Sequence, residues 1–358
     1  MGIGKLIIVG THTTETRGGI STALAGYQEG LNQLEVEYIR VNSHSDIRGR
    51  LSTWIIAWWQ VLLLALRYRS SAIFWFHCGP WFSMLRKLSF AIPARLFGCK
   101  TVAHMHSPAL NNYMKHWYSK YLLKIFFVPF NSVIALTPWW KAQLVAFGLK
   151  KQIDVCANPV AEDILLAAKS ALLASEPSFE QNEKVVILSM ARLIEGKGVE
   201  HVIDAMAQLP ENYHLNIGGD GPLKPQLEEQ VRTQNLESRV TFFGWVDGKE
   251  KQELMQGADI FCLPSRYDSF GVVFIEAMAL NLPVIACDWG PISDVVTPDV
   301  GLLVPYGDEK TIATQIKQFV DRKGEYSLKG PKRVIENFSS KTCCQKVKQT
   351  FERLMNEQ

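Results

Sequence analysis

Short apolar runs typical of buried strands alternate along the chain with longer amphipathic segments typical of helices. In the first half the predicted strands are Leu6–Val9, Val36–Val41, Ile73–Phe76 and Thr101–His104, and the predicted helices are Gly19–Leu31, Leu51–Tyr68 and Trp81–Phe97. In the second half the strands are Val185–Met190, His214–Ile217, Val240–Phe243 and Ile260–Leu263, and the helices are His201–Leu209, Leu223–Thr233, Lys249–Met255 and Val272–Leu280. This alternation predicts an α/β protein with two Rossmann-like parallel sheets and right-handed crossovers.

The two series are separated by residues 158–184, an Ala-, Ser- and Glu-rich stretch. We therefore predict an N-terminal domain over residues 1–160 and a second domain over residues 161–338. A last amphipathic helix in residues 339–358 is predicted to pack back on the first domain. Ligands of open parallel sheets bind beyond the carboxyl ends of the strands, so we expect the two domains to face each other across a cleft that holds the site.

The longest apolar stretch, Trp54–Leu66, is interrupted by Gln60 and is shorter than the ~20 residues of a membrane-spanning helix. The N-terminus shows no export or lipidation signal. The seven cysteines are scattered and form no C-x-x-C pair. We therefore expect a cytoplasmic protein without a membrane span or structural zinc.

The net charge of +3 hides a strong asymmetry. Residues 1–150 contain 16 Lys and Arg and five acids, a formal charge of +11, which leaves −8 for the remainder. No acid occurs between Ile47 and Ile153, and eight of the ten tryptophans lie in the first 150 residues. A basic, tryptophan-rich half predicts an anionic membrane surface as partner, and we expect no nucleic acid. The alternative for the tryptophans of the second helix, Trp54, Trp58 and Trp59, is that they are simply core packing.

The first strand leads into Gly18-Gly19, which opens a helix. Neither a G-x-G-x-x-G turn nor a G-x-x-x-x-G-K-[ST] phosphate loop is present, so NAD-dependent and P-loop chemistry are disfavoured. Paired glycines allow backbone N–H groups to approach a substrate or phosphate, although a plain tight turn would also account for them.

Two further strand ends carry candidate ligand groups. Arg192 and Lys197 follow the strand at Val185, where two cations suit a diphosphate, or they are solvated surface charges. Gly219 lies in the glycine-rich turn after the strand at His214, where an exposed backbone suits a ligand or simply a tight turn.

The most informative block is LPSRYDSFGVVFIEAMALNLPV, residues 263–284. A helix begins near Gly271, and a helix N-terminus favours an anion such as a diphosphate. Asp268 on the preceding loop and Glu276 within the helix are placed to reach one bound molecule. Glu276 is surrounded by apolar positions, so its carboxylate needs a partner.

These motifs together resemble a known family. From Ser189 to Pro305 the chain is similar to the C-terminal domain of the family-four, or group 1, retaining glycosyltransferases, which have the two-domain GT-B fold. ARLIEGKG resembles the family's G-R-L-x-x-x-K-G, GGDGP its G-x-G-P turn, TFFGW its F-x-G base-binding strand, and residues 264–284 its E-x7-E signature; WGPISDVV and GLLVP follow in order.

The resemblance implies transfer of a sugar from a nucleotide diphosphate sugar to an acceptor hydroxyl, with retention and with neither a metal nor a cofactor. It assigns the ribose hydroxyls to Glu276, the sugar hydroxyls to Asp268, and a contact from across the cleft to His106, in preference to His104. It assigns donor binding to Gly18, Gly19, Arg192, Lys197, Gly219, Trp245, Ser269, Phe270, Gly271 and Val272.

Two positions depart from the family pattern. Asp268 replaces the first glutamate of the E-x7-E pair, which puts the identity of the sugar in question. Asn281 replaces a glycine, and since Asn also adopts the left-handed conformation, we expect this change to be silent.

Combined with the basic, tryptophan-rich half, the resemblance predicts a lipid-linked or glycan acceptor in bacterial exopolysaccharide, O-antigen or lipopolysaccharide assembly. The protein is then expected on the inner face of the cell membrane, as a peripheral protein. The alternatives are a catalytically silent nucleotide-sugar-binding partner, suggested by Asp268, and a nucleotide-sugar epimerase of the same fold.

Overall fold

The chain divides into two compact units, Met1–Glu162 with Asn337–Gln358, and Asp163–Glu336. The structure is a computed structural model that describes residues 4–16, 18–173, 184–321, 326 and 328–357. The sequence placed the boundaries after residues 160 and 338, whereas the structure divides the chain within two helices, α7 (Glu162–Leu173) and α14 (Lys329–Phe338). Part of the predicted linker, residues 174–183, lies outside the described residues.

The first unit contains a six-stranded parallel sheet of order β2-β1-β3-β4-β5-β6. Its strands are β1 (Lys5–Thr11), β2 (Tyr38–His44), β3 (Ala72–Cys78), β4 (Lys100–Met105), β5 (Ser132–Ala135) and β6 (Gln152–Val155). Its helices are α1 (Gly19–Gln33), α2 (Arg50–Tyr68), α3 (Trp81–Leu96), α4 (Leu110–Lys115), α5 (Trp117–Phe127), α6 (Pro138–Ala146) and α15 (Ser340–Asn356). All seven residues of β3 are buried, because helices cover both of its faces.

The second unit contains another six-stranded parallel sheet, of order β12-β11-β10-β7-β8-β9. Its strands are β7 (Val185–Met190), β8 (Tyr213–Gly218), β9 (Val240–Gly244), β10 (Ile260–Leu263), β11 (Val284–Cys287) and β12 (Gly301–Val304). Its helices are α8 (Val199–Met206), α9 (Lys224–Thr233), α10 (Gly248–Gln256), α11 (Val272–Ala279), α12 (Ile292–Val295) and α13 (Glu309–Asp321). The prediction of two parallel-sheet units is confirmed.

Helix α15 packs with α1 on one face of the first sheet, in a core that includes Tyr27, Trp75 and Phe351. The two helices approach closely at Gly30, where a Cβ atom would lie 2.2 Å from the carbonyl oxygen of Ser340. The Arg353 guanidinium also grips the Asp154 carboxylate of β6 at 2.5 and 3.0 Å. Since a planar fork matches a carboxylate well, this contact fixes the last helix to the first unit.

Helices α2 and α3 pack together, and α2 leaves much of its apolar surface exposed. Its buried positions are the small or medium residues Thr53, Ala57, Val61 and Ala65. Trp54 is 39% exposed, Trp59 is 55% exposed and Trp58 is half-buried, so the alternative that all three are simply core packing is wrong. The helix buries a narrow stripe and presents its large residues outward.

By length and composition alone, one helical stretch of the described chain, the 22 residues Arg50–Ser71, is apolar enough to cross a membrane. Only 22% of its most apolar window is buried. No membrane span was predicted from the sequence, because the prediction rested on the shorter stretch Trp54–Leu66, which Gln60 interrupts. Length and composition are weak evidence, and α2 packs against β2 and α3 within the unit.

Candidate active site

The loops after β7, β8 and β9 are joined by backbone hydrogen bonds at one edge of the second sheet. Ala191 N donates to Gly218 O at 3.0 Å, and Gly219 N donates to Gly244 O at 2.6 Å. A cavity of about 160 Å³ lies at this edge. It is lined by Met190, Ala191, Arg192, Gly218, Gly219, Trp245, Val246, Lys251 and Val273. The structure thus brings three of the predicted donor-binding residues, Arg192, Gly219 and Trp245, to one cavity.

Gly219 is required by this close approach of two loops. Its φ is +145°, and a Cβ atom there would lie 1.8 Å from the carbonyl oxygen of Ala191. No residue with a side chain fits without moving the backbone. The glycine therefore sets the shape of the cavity floor.

The loop after β10 brings Asp268 to the loop after β7. Lys197 Nζ lies 2.7 Å from Asp268 Oδ1, and both side chains are largely buried. Asp268 Oδ2 is buried and has no hydrogen-bond partner among the described residues. Lys197, which was predicted to meet a diphosphate, is thus paired with Asp268, the acid that was predicted to meet the sugar.

Helix α11 begins at Val272, directly after the Asp268 loop. Gly271 precedes it with φ +77°, and a Cβ atom there would lie 2.4 Å from a ring carbon of Phe274. The first turn of the helix contains no acid. Phe270 is buried beneath the loop and Ser269 is half-buried. The first N–H groups of a helix have no intrahelical acceptor, so this helix end suits an anion.

Glu276 lies one turn further along α11 and is only 8% exposed. Its carboxylate is 2.5 Å from Lys251 Nζ, which supplies the partner that the apolar surroundings predicted. Lys251 itself was missed by the sequence analysis. It belongs to the charged segment Lys249–Lys251 and to no motif, so only its packing reveals it.

Asn281 has φ +58°, in the left-handed region that asparagine was expected to tolerate. Its side-chain oxygen also accepts a hydrogen bond from Leu328 N at 2.7 Å. That the replacement is silent stays a prediction.

The first unit carries the other predicted site residues. Gly18 caps α1 with φ +130°, and Gly18 and Gly19 are both exposed. His106 follows β4 and is 4% exposed, whereas His104 within β4 is fully buried. His106 Nε2 shares a hydrogen bond of 2.9 Å with Nδ1 of His77 on β3.

His77, His104 and His106 form a buried cluster whose ring nitrogens lie within 4.8 Å of one another. Burial lowers the pKa of all three, that of His106 to about 3, so the imidazoles are neutral near pH 7. The sequence analysis missed the cluster, although His77 and His104 are register partners of β3 and β4. Neutral imidazoles can hold a divalent cation. The charge of buried Lys87, which further lowers the pKa of His77 and His106, opposes a cation there.

Comparison with known proteins finds a family match in the part of the chain that contains most of the second unit. Residues 173–340 match the family model of the glycosyl transferases group 1. The match covers just under half of the chain, and this part of the chain is similar to that family. It contains the whole motif series, Ser189 to Pro305, on which the resemblance was based.

Two curated relatives illustrate the range of coverage. The chain is 28% identical over 191 residues to the lipopolysaccharide core biosynthesis glycosyltransferase LpsE of Rhizobium meliloti, which is 53% of this chain and 54% of that protein. It is 25% identical over 322 residues to an uncharacterized 41.2 kDa protein in the cps region of Klebsiella pneumoniae, 84% of this chain and 87% of that protein. The chain spans about half the length of the first curated relatives that it matches.

The solved structure of Anabaena HepE in complex with UDP and glucose has a similar fold. Its TM-score is 0.71 at 19% identity, and the comparison covers 98% of this chain and all of that one. At this identity the likeness shows the fold alone, and it confirms the predicted GT-B fold. The cleft between the two units and the role of each site residue stay predictions.

Proposed function

We propose that the protein transfers a sugar from a nucleotide diphosphate sugar to a lipid-linked or glycan acceptor, with retention at the anomeric carbon. The observation that carries the proposal is the arrangement around the start of α11. A buried carboxylate oxygen of Asp268, which has no partner within the described part of the chain, lies before the helix, and the buried carboxylate of Glu276 lies within it. A sugar and a ribose, both rich in hydroxyl donors, suit these two acceptors.

The donor's diphosphate has protein groups to meet its charge. Arg192 is exposed at the cavity, and the start of α11 offers backbone N–H groups to an anion. These groups stabilise a leaving nucleoside diphosphate, which is the task a divalent ion performs in other transferases. We therefore propose turnover without a bound metal.

His106 is proposed to contact the transferred sugar from the first unit. Its ring is neutral near pH 7 and hydrogen-bonded through Nε2 to His77, and its buried Nδ1 has no hydrogen-bond partner among the described residues. We propose that Nδ1 is the atom that meets a sugar hydroxyl. His77 thereby acts as a positioning residue, because it fixes the orientation of the His106 ring.

The acceptor is proposed to come from a membrane surface, through what we term the basic apolar face of α2, α3 and α5. Its exposed apolar residues include Leu51, Ile56, Trp59 and Leu63 on α2, Phe82, Leu85 and Leu96 on α3, and Trp117, Tyr121, Leu122 and Ile125 on α5. The exposed Lys115, Lys120 and Lys124 lie in or beside α5. The segment from 48 to 152 contains no acid.

This mixture of tryptophan, aliphatic side chains and cations suits anionic lipid headgroups. An enzyme held there meets an acceptor that is itself anchored in the membrane. The relatives named for lipopolysaccharide core synthesis and for a capsule gene region agree with an acceptor in cell-surface polysaccharide assembly. We place the protein on the inner face of the cell membrane, where nucleotide sugars are available.

A transfer assay tests the proposal. Purified protein is incubated with a panel of nucleotide sugars and bacterial membrane extract, and lipid products are analysed by mass spectrometry. We expect one donor to be consumed only when the extract is present, with the anomeric configuration of the donor kept in the product. Binding of a donor without turnover would support a silent assembly partner instead. A new epimer formed from donor alone would support an epimerase.

A further inference from the structure

The cavity of the second unit contains one cation that the family motifs do not include. Lys251 of α10 lines it together with Trp245, and its Nζ lies 2.5 Å from Glu276 Oε2. The Lys251 side chain is 24% exposed, so its ammonium is held at the cavity wall rather than in open solvent.

An ammonium has three N–H donors and no acceptor. Among the described residues Glu276 is the one side chain that pairs with the Lys251 ammonium. The remaining donors are therefore available to whatever occupies the cavity. A carbonyl oxygen can accept a hydrogen bond from these N–H groups, whereas an amino group is itself a donor and repels them.

The other walls suit the flat part of a nucleoside. Trp245 is 44% exposed and offers an aromatic surface, while Val246 and Val273 are apolar. A base stacked on Trp245 has its apolar faces covered, and its ring edge is the part that needs hydrogen-bond partners. Arg192 and Lys251 both line the cavity as charged donors. Arg192 is assigned to the diphosphate, so Lys251, beside the proposed ribose ligand Glu276, is the charged donor left for the base edge.

We propose that Lys251 selects donors whose base presents a carbonyl oxygen at this edge, as uracil does, over donors whose base presents an amino group there, as cytosine does. The inference rests on the proposed function, since it concerns the nucleotide of the same donor. Lys251 is thus a specificity-determining residue as well as the partner of Glu276.

The pair UDP and CDP tests this directly, because the two ligands differ only at one edge of the base: uracil presents the C4 carbonyl and an N3 hydrogen, and cytosine presents the C4 amino group and an N3 acceptor. Their ribose and diphosphate are identical, so any effect of Lys251 through Glu276 cancels in the ratio of their dissociation constants. We expect calorimetry on the wild-type protein to show roughly tenfold or greater preference for UDP. Lys251→Met should reduce the preference to about twofold or less.

Lys249→Met is the matched control. Lys249 lies on the same helix, its side chain is 90% exposed, and it pairs with Glu253. This variant should keep the wild-type ratio. Lys251→Gln, which keeps a hydrogen-bond donor without the charge, should give an intermediate ratio and serves if the methionine variant does not fold.

The outcomes separate the two proposals. Equal binding of UDP and CDP by the wild type, or an unchanged ratio in a folded Lys251→Met protein, overturns the role of Lys251 and leaves the transferase intact. Equal weakening of both nucleotides by Lys251→Met would mean that the lysine acts through Glu276 alone, which also overturns base selection. Absence of binding by any nucleoside diphosphate overturns the proposed function itself.

Discussion

Lys197 Nζ lies 2.7 Å from Asp268 Oδ1, so an ion pair joins the loop after β7 to the loop after β10. The pair fixes one carboxylate oxygen and leaves Asp268 Oδ2 buried without a partner among the described residues. A side chain held in this way has little freedom to adjust to different sugars. The position of the acid, and thus the length of its side chain, should determine which sugar hydroxyl it meets.

Asp268→Glu tests this relationship. The longer acid moves the carboxylate by about one methylene and restores the residue that the family pattern has. We expect the ratio of kcat/KM between two epimeric donors, such as UDP-glucose and UDP-galactose, to change by about fivefold or more, roughly 1 kcal/mol. UDP affinity should stay unchanged, because UDP lacks the transferred sugar that Asp268 is proposed to meet. An unaltered donor ratio would show that Asp268 does not set sugar preference.

Glu276→Gln should weaken donor binding and remove most transfer. The change removes a buried charge that is proposed to accept hydrogen bonds from the ribose, worth roughly 1.5–3 kcal/mol, and leaves Lys251 without its carboxylate. Kinetics of donor turnover and calorimetry with UDP measure the loss. Glu253→Gln, on an exposed site of α10, is the matched control and should behave as wild type. Wild-type kcat/KM in a folded Glu276→Gln protein would remove Glu276 from the site.

Asp268 and Glu276 could be predicted from the sequence because their positions follow from the order of elements along the chain. Asp268 lies on the loop after a strand, and Glu276 lies on the helix that follows that loop. Parallel topology brings all such strand ends to one edge, so the local pattern suffices. Lys251 and His77 escaped prediction for the opposite reason. Each meets its partner through tertiary packing, Lys251 across two helices and His77 across two strands, and neither contact leaves a period or a motif in the sequence.

The helices and strands also divide into those that were predicted from the sequence and those that were missed. Long amphipathic segments such as α2 were predicted to within one residue at each end, because a helical period repeated over five turns is a strong local signal. The four-residue strands β5 and β6 were missed, although the equally short β10 was predicted, so a run of four residues does not by itself decide whether a strand forms. The segments β5 and β6 are strands because β4 pairs with β5 and β5 with β6 in register.

Turnover should survive an excess of EDTA. In the proposed mechanism Arg192 and the start of α11 meet the diphosphate, so no divalent ion is needed at that point. The rate of nucleoside diphosphate release, with and without chelator, measures this. Loss of activity on chelation and its recovery with Mg²⁺ or Mn²⁺ would falsify the metal-free mechanism.

The buried histidine cluster should make the first unit sensitive to acid. The folded chain lowers the pKa of His77, His104 and His106 below the ordinary 6.5, so the unfolded chain binds more protons as the pH falls through that value. Their contribution to stability is complete above about pH 6.5 and is lost progressively below it. Each histidine contributes a slope of up to about 1.4 kcal/mol per pH unit.

His104→Phe should reduce the dependence of the free energy of unfolding on pH by the contribution of one histidine. Both of its ring nitrogens are buried without a side-chain partner among the described residues, and its neighbours Trp75 and Tyr27 are aromatic, so a phenyl ring suits the site. Urea unfolding between pH 7 and pH 5 measures the slope. His116→Phe, at an exposed position, is the control and should retain the wild-type slope. An identical slope in His104→Phe would show that His104 takes up its proton in the folded state.

The basic apolar face should bind anionic membranes. We expect the protein to float with vesicles that contain phosphatidylglycerol or cardiolipin at low salt, and to bind neutral phosphatidylcholine vesicles poorly. Because the Debye length shortens from about 30 Å at 0.01 M salt to about 10 Å at 0.1 M, the electrostatic part of the binding should weaken over that range. Equal binding to neutral and anionic vesicles would contradict an electrostatic contribution.

Charge reversal at Lys115, Lys120 and Lys124 to Glu locates that surface. The change places three acids in a segment that has none, next to exposed Trp117 and Tyr121. Each cation contributes about 1 kcal/mol near an anionic surface. Vesicle binding and transfer to lipid acceptors should therefore fall at least tenfold. UDP affinity should be retained, because the donor residues of the second unit are untouched. The matched control reverses Lys310, Lys317 and Lys332, three exposed cations of the second unit, with the same change in net charge. If both triple variants lose vesicle binding equally, net charge rather than the basic apolar face governs membrane association.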